Sequence, residues 1–288
     1  MMIELTFEFW YLFPISILIA TLAMSSGIGG AVFFSPLFMI ALKLDPKIAI
    51  GAALATEFFG FSSGLIAYYK EKLIDFKLAK NLLIFSVPAA IIGSYYADLV
   101  PPDNLKSIFA VGLLFIGYQL FSAWRKEERE KHEGEHKKEF EQNYKSELTD
   151  ASGKLYRYTV CNRNMGRSFA AIGGAFVGMI SVGLAELQEY HLVARCKVPT
   201  PVAVATSIFV VVITVLVASV GHLYEFAMEG GSVLNEVVNV IIFTIPGVII
   251  GGQIGPKLQK TLPEDKMKVG ISILFILIGI FMLYTLIE

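Results

Sequence analysis

Charge is scarce in this chain: 17% of its 288 residues are Asp, Glu, Lys or Arg, against about 25% in soluble domains. Twenty of the 49 charged residues crowd between Arg125 and Arg167, so the remainder does not read as a water-soluble globule. The net charge of -1 leaves no basic excess and gives no reason to expect a nucleic-acid partner. Cysteine is almost missing. Cys161 and Cys196 stand far apart without C-x-x-C spacing, which suggests neither a disulfide framework nor a redox motif. Lys and Arg are absent from Met1 to Glu8, where Glu4 and Glu8 are acidic. A cleaved signal peptide starts differently, so the first apolar segment is expected to stay in the mature protein. No G-x-x-x-x-G-K-[ST] loop occurs, which argues against ATP hydrolysis.

What the chain does have is apolar length. A bilayer core takes about 20 apolar residues per helix, and six stretches qualify: Lys47–Tyr68, Leu78–Leu99, Leu105–Trp124, Pro201–His222, Val233–Ile254 and Met267–Ile287. Two further segments are interrupted. Phe9–Leu42 is too long for one span and contains Ser25-Ser26-Gly27-Ile28-Gly29-Gly30. Ser168–Leu192 turns polar after Ser181-Val182-Gly183. Clusters of glycine and serine are credible breaks in membrane helices.

The halves repeat. Phe85-Ser86-Val87-Pro88 matches Phe243-Thr244-Ile245-Pro246, and Ala49 to Leu54 stands opposite Ala203 to Ile208. Gly29 then falls opposite Gly183, so each half begins with its interrupted segment. Basic residues orient the halves. The linker 125–167 holds eleven Lys and Arg against nine acids and is placed in the cytoplasm. With eight simple spans, the other inside loops carry three basic residues and the outside loops nine. If each interrupted segment is a hairpin returning to its own side, those counts reverse. The expected fold is therefore an all-α polytopic membrane protein of two inverted repeats, each a re-entrant hairpin plus three spans. Residues 1–124 and 168–288 are the repeats, and 125–167 reads as a solvated helix or disorder.

Inverted repeats with broken helices place a binding site near the midplane. A half-helix starting after Gly30 or Gly183 points unpaired amides and its positive end inward, which favours an anion. Candidate substrate-binding residues are Ser25, Ser26, Gly27, Gly29, Gly30, Thr56, Ser181, Gly183, Gln188, Thr206 and Ser207. The competing reading of the small ones is that they let helices pack closely. Intramembrane charge is costly, which singles out Glu57, Glu186, Glu189, His191 and Arg195 for coupling or gating. Buried carboxyl groups exchange protons more readily than they carry unpaired charge, which suits proton coupling. For Glu189, His191 and Arg195 the alternative is a solvated cytoplasmic mouth, and for Glu57 and Glu186 a polar contact between helices. His222 reads as structural, at an outer interface.

His132-Glu133-Gly134-Glu135-His136 matches H-E-x-x-H, but it carries a central glycine within a run of charge and has no third ligand nearby. The zinc-protease pattern needs a stable helix and a shaped cleft, so catalysis is not expected there. No enzyme activity, cofactor or resident metal is expected.

Gly27-Ile28-Gly29-Gly30-Ala31 followed by Pro36-Leu37 resembles the G-x-G-G-G…P-x-L signature of the TauE/SafE permeases, the sulfite-exporter family. Gly183 through Val198-Pro199 to Ala203-Val204-Ala205-Thr206-Ser207 is similar to that family's second copy of the unit. Ala31 replaces the third glycine, and the stretch from Glu186 to Arg195 is more polar than the usual form. The resemblance implies a secondary transporter, often an exporter, for sulfite, sulfoacetate or another organosulfonate, in a prokaryotic plasma membrane. Proton-coupled alternating access of a small anion is the expectation. A passive anion channel and a cation-coupled carrier for another solute are the alternatives. The expected partners are the anion and the lipid bilayer, with oligomeric state open and a homodimer among the options.

Overall fold

The structure is a computed structural model that describes residues 6–26, 29–132, 146–259 and 264–286. Helices dominate them: α1 (Leu12–Ser26), α2 (Ala31–Ile40), α3 (Pro46–Lys70), α4 (Phe76–Leu99), α5 (Pro102–His132), α6 (Arg163–Ile180), α7 (Leu184–Glu189), α8 (Thr200–Glu229), α9 (Gly231–Gln259) and α10 (Glu264–Tyr284). A π-helical turn, Tyr190–Arg195, follows α7. Five helices, α3, α4, α5, α8 and α9, are long and apolar enough to cross a membrane, and α10 carries a shorter apolar run, Val269–Tyr284. The protein is an all-α polytopic membrane protein.

Local chemistry explains where the helices start. Asp45 caps α3 by accepting from the Lys47 amide, with Pro46 in the first turn. Asp75 caps α4 through the Leu78 amide, and Asn162 caps α6 through the Met165 amide. Outward-facing Ile84, Ile91, Phe115, Leu277 and Ile280 are exposed, and such a surface suits lipid rather than water.

The contacts show the direction of each helix. Thr56 on α3 hydrogen-bonds Thr244 on α9 at 2.8 Å, and Gly60 and Gly64 meet Val248 and Gly252 further along. On the other face of α9, Gly247 packs on Phe13 and Ser16, Gly251 on Ile17 and Ala20, and Gly255 on Met24. Numbers rise together in each pair, so α1, α3 and α9 run the same way. The chain between α1 and α3 therefore has to turn back, and α2 makes that return. Its first residues lie beside Glu57 and Phe61, in the middle of α3.

The second half packs likewise. Gly174 and Gly178 of α6 fit so closely on Ser86 and Ala90 of α4 that an added Cβ would strike their carbonyls. Ser86 bonds Thr214 of α8 at 2.9 Å, and Gly221 lies against Ser94. Thus α4, α6 and α8 are parallel, and α7 with its π turn brings the chain back. Both returning arms end in a lysine with left-handed backbone, Lys43 (φ 55) and Lys197 (φ 53).

The two feet of the second hairpin are joined. Cys161 and Cys196 form a disulfide with their Cα atoms 5.1 Å apart, where the sequence suggested no disulfide. The hairpin explains the difference, because it closes a separation of 35 residues by returning the chain to the start of α6.

Equivalent helices of the two halves meet head to tail. Gly51, near the start of α3, touches His222 and Phe226 near the end of α8, while the amide of Asp75, just beyond α3, donates to Thr206 near the start of α8 at 3.0 Å. Gly117 of α5 packs on Phe275 and Ile276 of α10, and Gly279 on Ala110 and Leu114.

Of the linker, residues 125–132 and 146–167 are described. Helix α5 continues to His132, and the strands β1 (Ser146–Thr149) and β2 (Leu155–Tyr158) form an antiparallel hairpin with Ser146 opposite Tyr158. The hairpin docks on the loop between α3 and α4. The Ala151 amide donates to the Glu71 carbonyl at 2.9 Å, and the Tyr158 hydroxyl donates to Asp75 at 2.8 Å. Burial, and then Asp75 itself, hold the Tyr158 phenol above its ordinary pKa. Most of the H-E-x-x-H pattern, from Glu133 onward, lies outside the described residues.

Candidate functional site

The two helix breaks meet. After α6, Ser181 and Gly183 take left-handed backbone (φ 58 and 113), which turns the chain sharply and aims the first amides of α7 inward. Gly183 has a conformation that strains any residue with a Cβ. Opposite it, Gly29 and Gly30 open α2.

A buried carboxylate joins the breaks. Glu186, in the first turn of α7, accepts from the Gly183 amide with one oxygen and from the Gly29 amide with the other, each at 3.1 Å. Glu57, from mid-α3, accepts from the amides of Gly30 and Ala31. The two carboxyl groups converge on one point. A Cβ added to Gly29 would lie 3.1 Å from Glu57 Oε1 and 3.3 Å from Glu186 Oε1. Both side chains are buried. Helix-start amides in low dielectric need acceptors, and here the chain's own acids supply them.

The centre has a pseudosymmetric frame with unsymmetric contents. Gly29 and Gly183 face each other, Val32 takes the place matching Glu186, and Val211 the place matching Glu57. These six line a cavity with room for about one water molecule. Each half thus contributes one carboxylate, from a different helix. Ser35 of α2 adds a 2.6 Å hydrogen bond to Ser181 across the same centre.

A second crevice runs between α5 and the returning arm, from Glu186 past Glu189 and Gln119 to Tyr190 and Val193. It leads toward the linker end of the bundle. The Gln119 carbonyl oxygen is buried there without a hydrogen-bond partner, and in the neighbouring part of α7 neither side-chain polar atom of Gln188 has one. Such groups are costly unless something polar visits them.

The residues singled out in the sequence divide by position. Gly29, Gly30, Ser181, Gly183, Glu57 and Glu186 come together at the centre. Ser207 is buried one turn before Val211, its hydroxyl without a partner, and Glu189 lines the crevice. Others are taken up elsewhere. Ser25 and Ser26 donate to the Leu22 carbonyl of their own helix, Thr56 bonds α9, and Thr206 serves the α3–α4 loop. His191 packs on Gly166 and the Phe169 ring near the start of α6, and Arg195 reaches Met165 there. Gly27 lies outside the described residues. Sequence reasoning passed over Ser35 and Gln119. Ser35 stands four residues beyond Ala31, on the same helical face, which is the one signal that pointed inward.

A family model described as Sulfite exporter TauE/SafE matches residues 12–282. Among curated proteins, the chain is similar to "Probable membrane transporter protein YunE" of Bacillus subtilis (strain 168), with 25% identity over 285 residues, 96% of this chain and 98% of the relative. It also resembles "Probable membrane transporter protein YjnA" of the same organism, 36% identical over 76 residues, or 26% of this chain and 30% of that protein. No solved structure gives a significant match.

Proposed function

Since the chain belongs to the TauE/SafE sulfite exporter family of membrane transporters, we propose that it carries a small anion through the two facing breaks by alternating access, with protons as coupling ions. The observation that carries this reading is the occupation of four break amides by two carboxylates. A site that binds a carboxylate by backbone N–H groups binds other small oxyanions by the same groups. Sulfite and organosulfonates present oxygens of that kind, and the family's name makes them the first substrates to try.

Coupling follows from competition for the amides. A protonated carboxyl is a weaker acceptor than a carboxylate, so protonation of Glu57 or Glu186 releases N–H groups to an incoming anion. Anion and proton then travel together. The crevice along α5 is the route from the linker side, with Gln119, Gln188 and Glu189 offering transient partners. The parallel runs of α1 with α3 and of α6 with α8, and the head-to-tail meeting of α3 with α8, support two inverted repeats with re-entrant hairpins. On that topology the linker side collects the basic loops, which supports a cytoplasmic linker in a plasma membrane.

A second reading rests on the same pair. Two carboxylates around one small cavity also suit a bound cation, which makes the coupling ion sodium rather than a proton. Proteoliposome flux with sulfite, sulfoacetate and a simple carboxylate, run with and without sodium and with an internal pH dye, tests both. Anion-dependent proton movement supports the proposal. Movement of a cation alone, with every anion at background, refutes the anion reading.

A further inference from the structure

A second cluster of titratable groups lies away from the breaks, at the end of the bundle opposite the linker. There Asp98 closes α4, and His222 and Glu225 occupy the last turns of α8. One ligand atom from each lies within 4.8 Å of the other two. His222 is buried, 1% exposed. Its Nε2 is 2.9 Å from the Gly178 carbonyl of α6, and because a carbonyl only accepts, Nε2 carries the proton. In the neutral imidazole the other nitrogen, Nδ1, presents a lone pair. It has no hydrogen-bond partner and faces the Glu225 carboxylate at 3.8 Å. At 3.8 Å that contact is too long for a hydrogen bond, and with the neutral ring three acceptor atoms converge on one point.

We propose that Asp98, His222 and Glu225 form a binding site for a divalent metal ion of the zinc class on the outer face of the transporter. One imidazole nitrogen and two carboxylates are a ligand set that zinc accepts, with a further position left for water. The imidazole also has the outer contact typical of a metal ligand, its second nitrogen donating to a backbone carbonyl. Lys47 of α3 approaches the same corner and donates to the Asp98 main-chain carbonyl at 2.7 Å. That bond engages the main-chain oxygen and not the Asp98 carboxylate.

The position gives the ion a consequence. Gly178 belongs to the last turn of α6, where carbonyls lack partners within the helix, and the second break follows at Ser181. Metal on Nδ1 would thus fix α4 to α8 and, through the imidazole, to the turn that ends at the break. This inference does not rest on the identity of the transported anion.

The test is titration of the purified, chelator-treated protein in detergent with Co2+, whose visible absorption reports the ligand field, followed by displacement with Zn2+. The expected result is one Co2+ per chain, bleached by Zn2+, with affinity at least tenfold weaker in Asp98→Asn and in Glu225→Gln. Those two variants leave the bond from His222 to Gly178 in place, so they keep the test valid if His222→Gln fails to fold. A His132→Gln, His136→Gln double variant serves as the control for the linker histidines and is expected to bind like the unchanged protein. The proposal is overturned if no stoichiometric Co2+ binds, if the Asp98 and Glu225 variants bind as tightly as the unchanged protein, or if the signal vanishes with the linker histidines.

Discussion

Gly29 is where the acids of the two halves meet. Its amide serves Glu186, and its missing side chain is the space into which both carboxylates reach. Gly29→Ala adds one methyl at 3.1 and 3.3 Å from the two acids and should lower anion flux about tenfold or more, since losing a hydrogen bond to a charged group costs about 1.5–3 kcal/mol and each 1.4 kcal/mol is about tenfold. Initial rates in proteoliposomes measure this, with Gly270→Ala, which meets no neighbour within 4 Å, as the comparison. Glu186→Gln should separate coupling from permeation. Protonating the carboxylates frees the break amides, so flux in the unchanged protein should rise as pH falls. In Glu186→Gln that rise should flatten and fewer protons should accompany each anion. An unaltered pH profile in both Glu186→Gln and Glu57→Gln would remove the acids from the coupling step.

Whole elements are positioned by close packing and by a few bonds at their ends. The returning arm α7 is six residues long, too short to be stable alone. It is held by the Glu186 cap, by α6 behind it and by the disulfide at its foot. The interface between α4 and α6 has no slack, so Gly178→Leu should destabilise the protein by about 1–3 kcal/mol or more, visible as a lower melting temperature in detergent. The linker hairpin depends on fewer contacts. Tyr158→Phe removes the hydroxyl that donates to Asp75, at a cost of about 1 kcal/mol, and should speed proteolysis near residues 146–158 while leaving the membrane helices intact.

For the whole molecule, the consequence of the fold is its sidedness. If both hairpins return to the side they came from, the α3–α4 loop, the foot of the second hairpin, the end of α9 and the start of α10 share one face with the linker. The foot of the first hairpin lies on the other. Single cysteines introduced at Lys72 and Lys266, in a background with Cys161 and Cys196 replaced by serine, should react with an impermeant maleimide only after cells are opened. A cysteine at Lys43 should react from outside. Labelling of all three from the same side would break the inverted arrangement and the alternating access that rests on it.

Much of this was written in the chain itself. Apolar length pointed to six membrane helices, of which five are long and apolar enough to span among the described residues; the glycine and serine clusters marked both breaks, and the uneven lysines implied hairpins that return. These are local or additive signals, readable because lipid leaves a backbone few options. Glu57 and Glu186 were conspicuous for the same reason, as charges with no cheap place in a bilayer. Only the tertiary structure decided what satisfies them. Burial left four amides without acceptors, and the residues able to supply acceptors lie on helices far apart in sequence. The positively polarised cavity expected from the breaks alone therefore became a centre already holding two acids. The same holds for Cys161 with Cys196, for Ser35 with Ser181 and for Asp98 with His222. Each pairing depends on where a folded helix ends, a property that no single stretch of sequence contains.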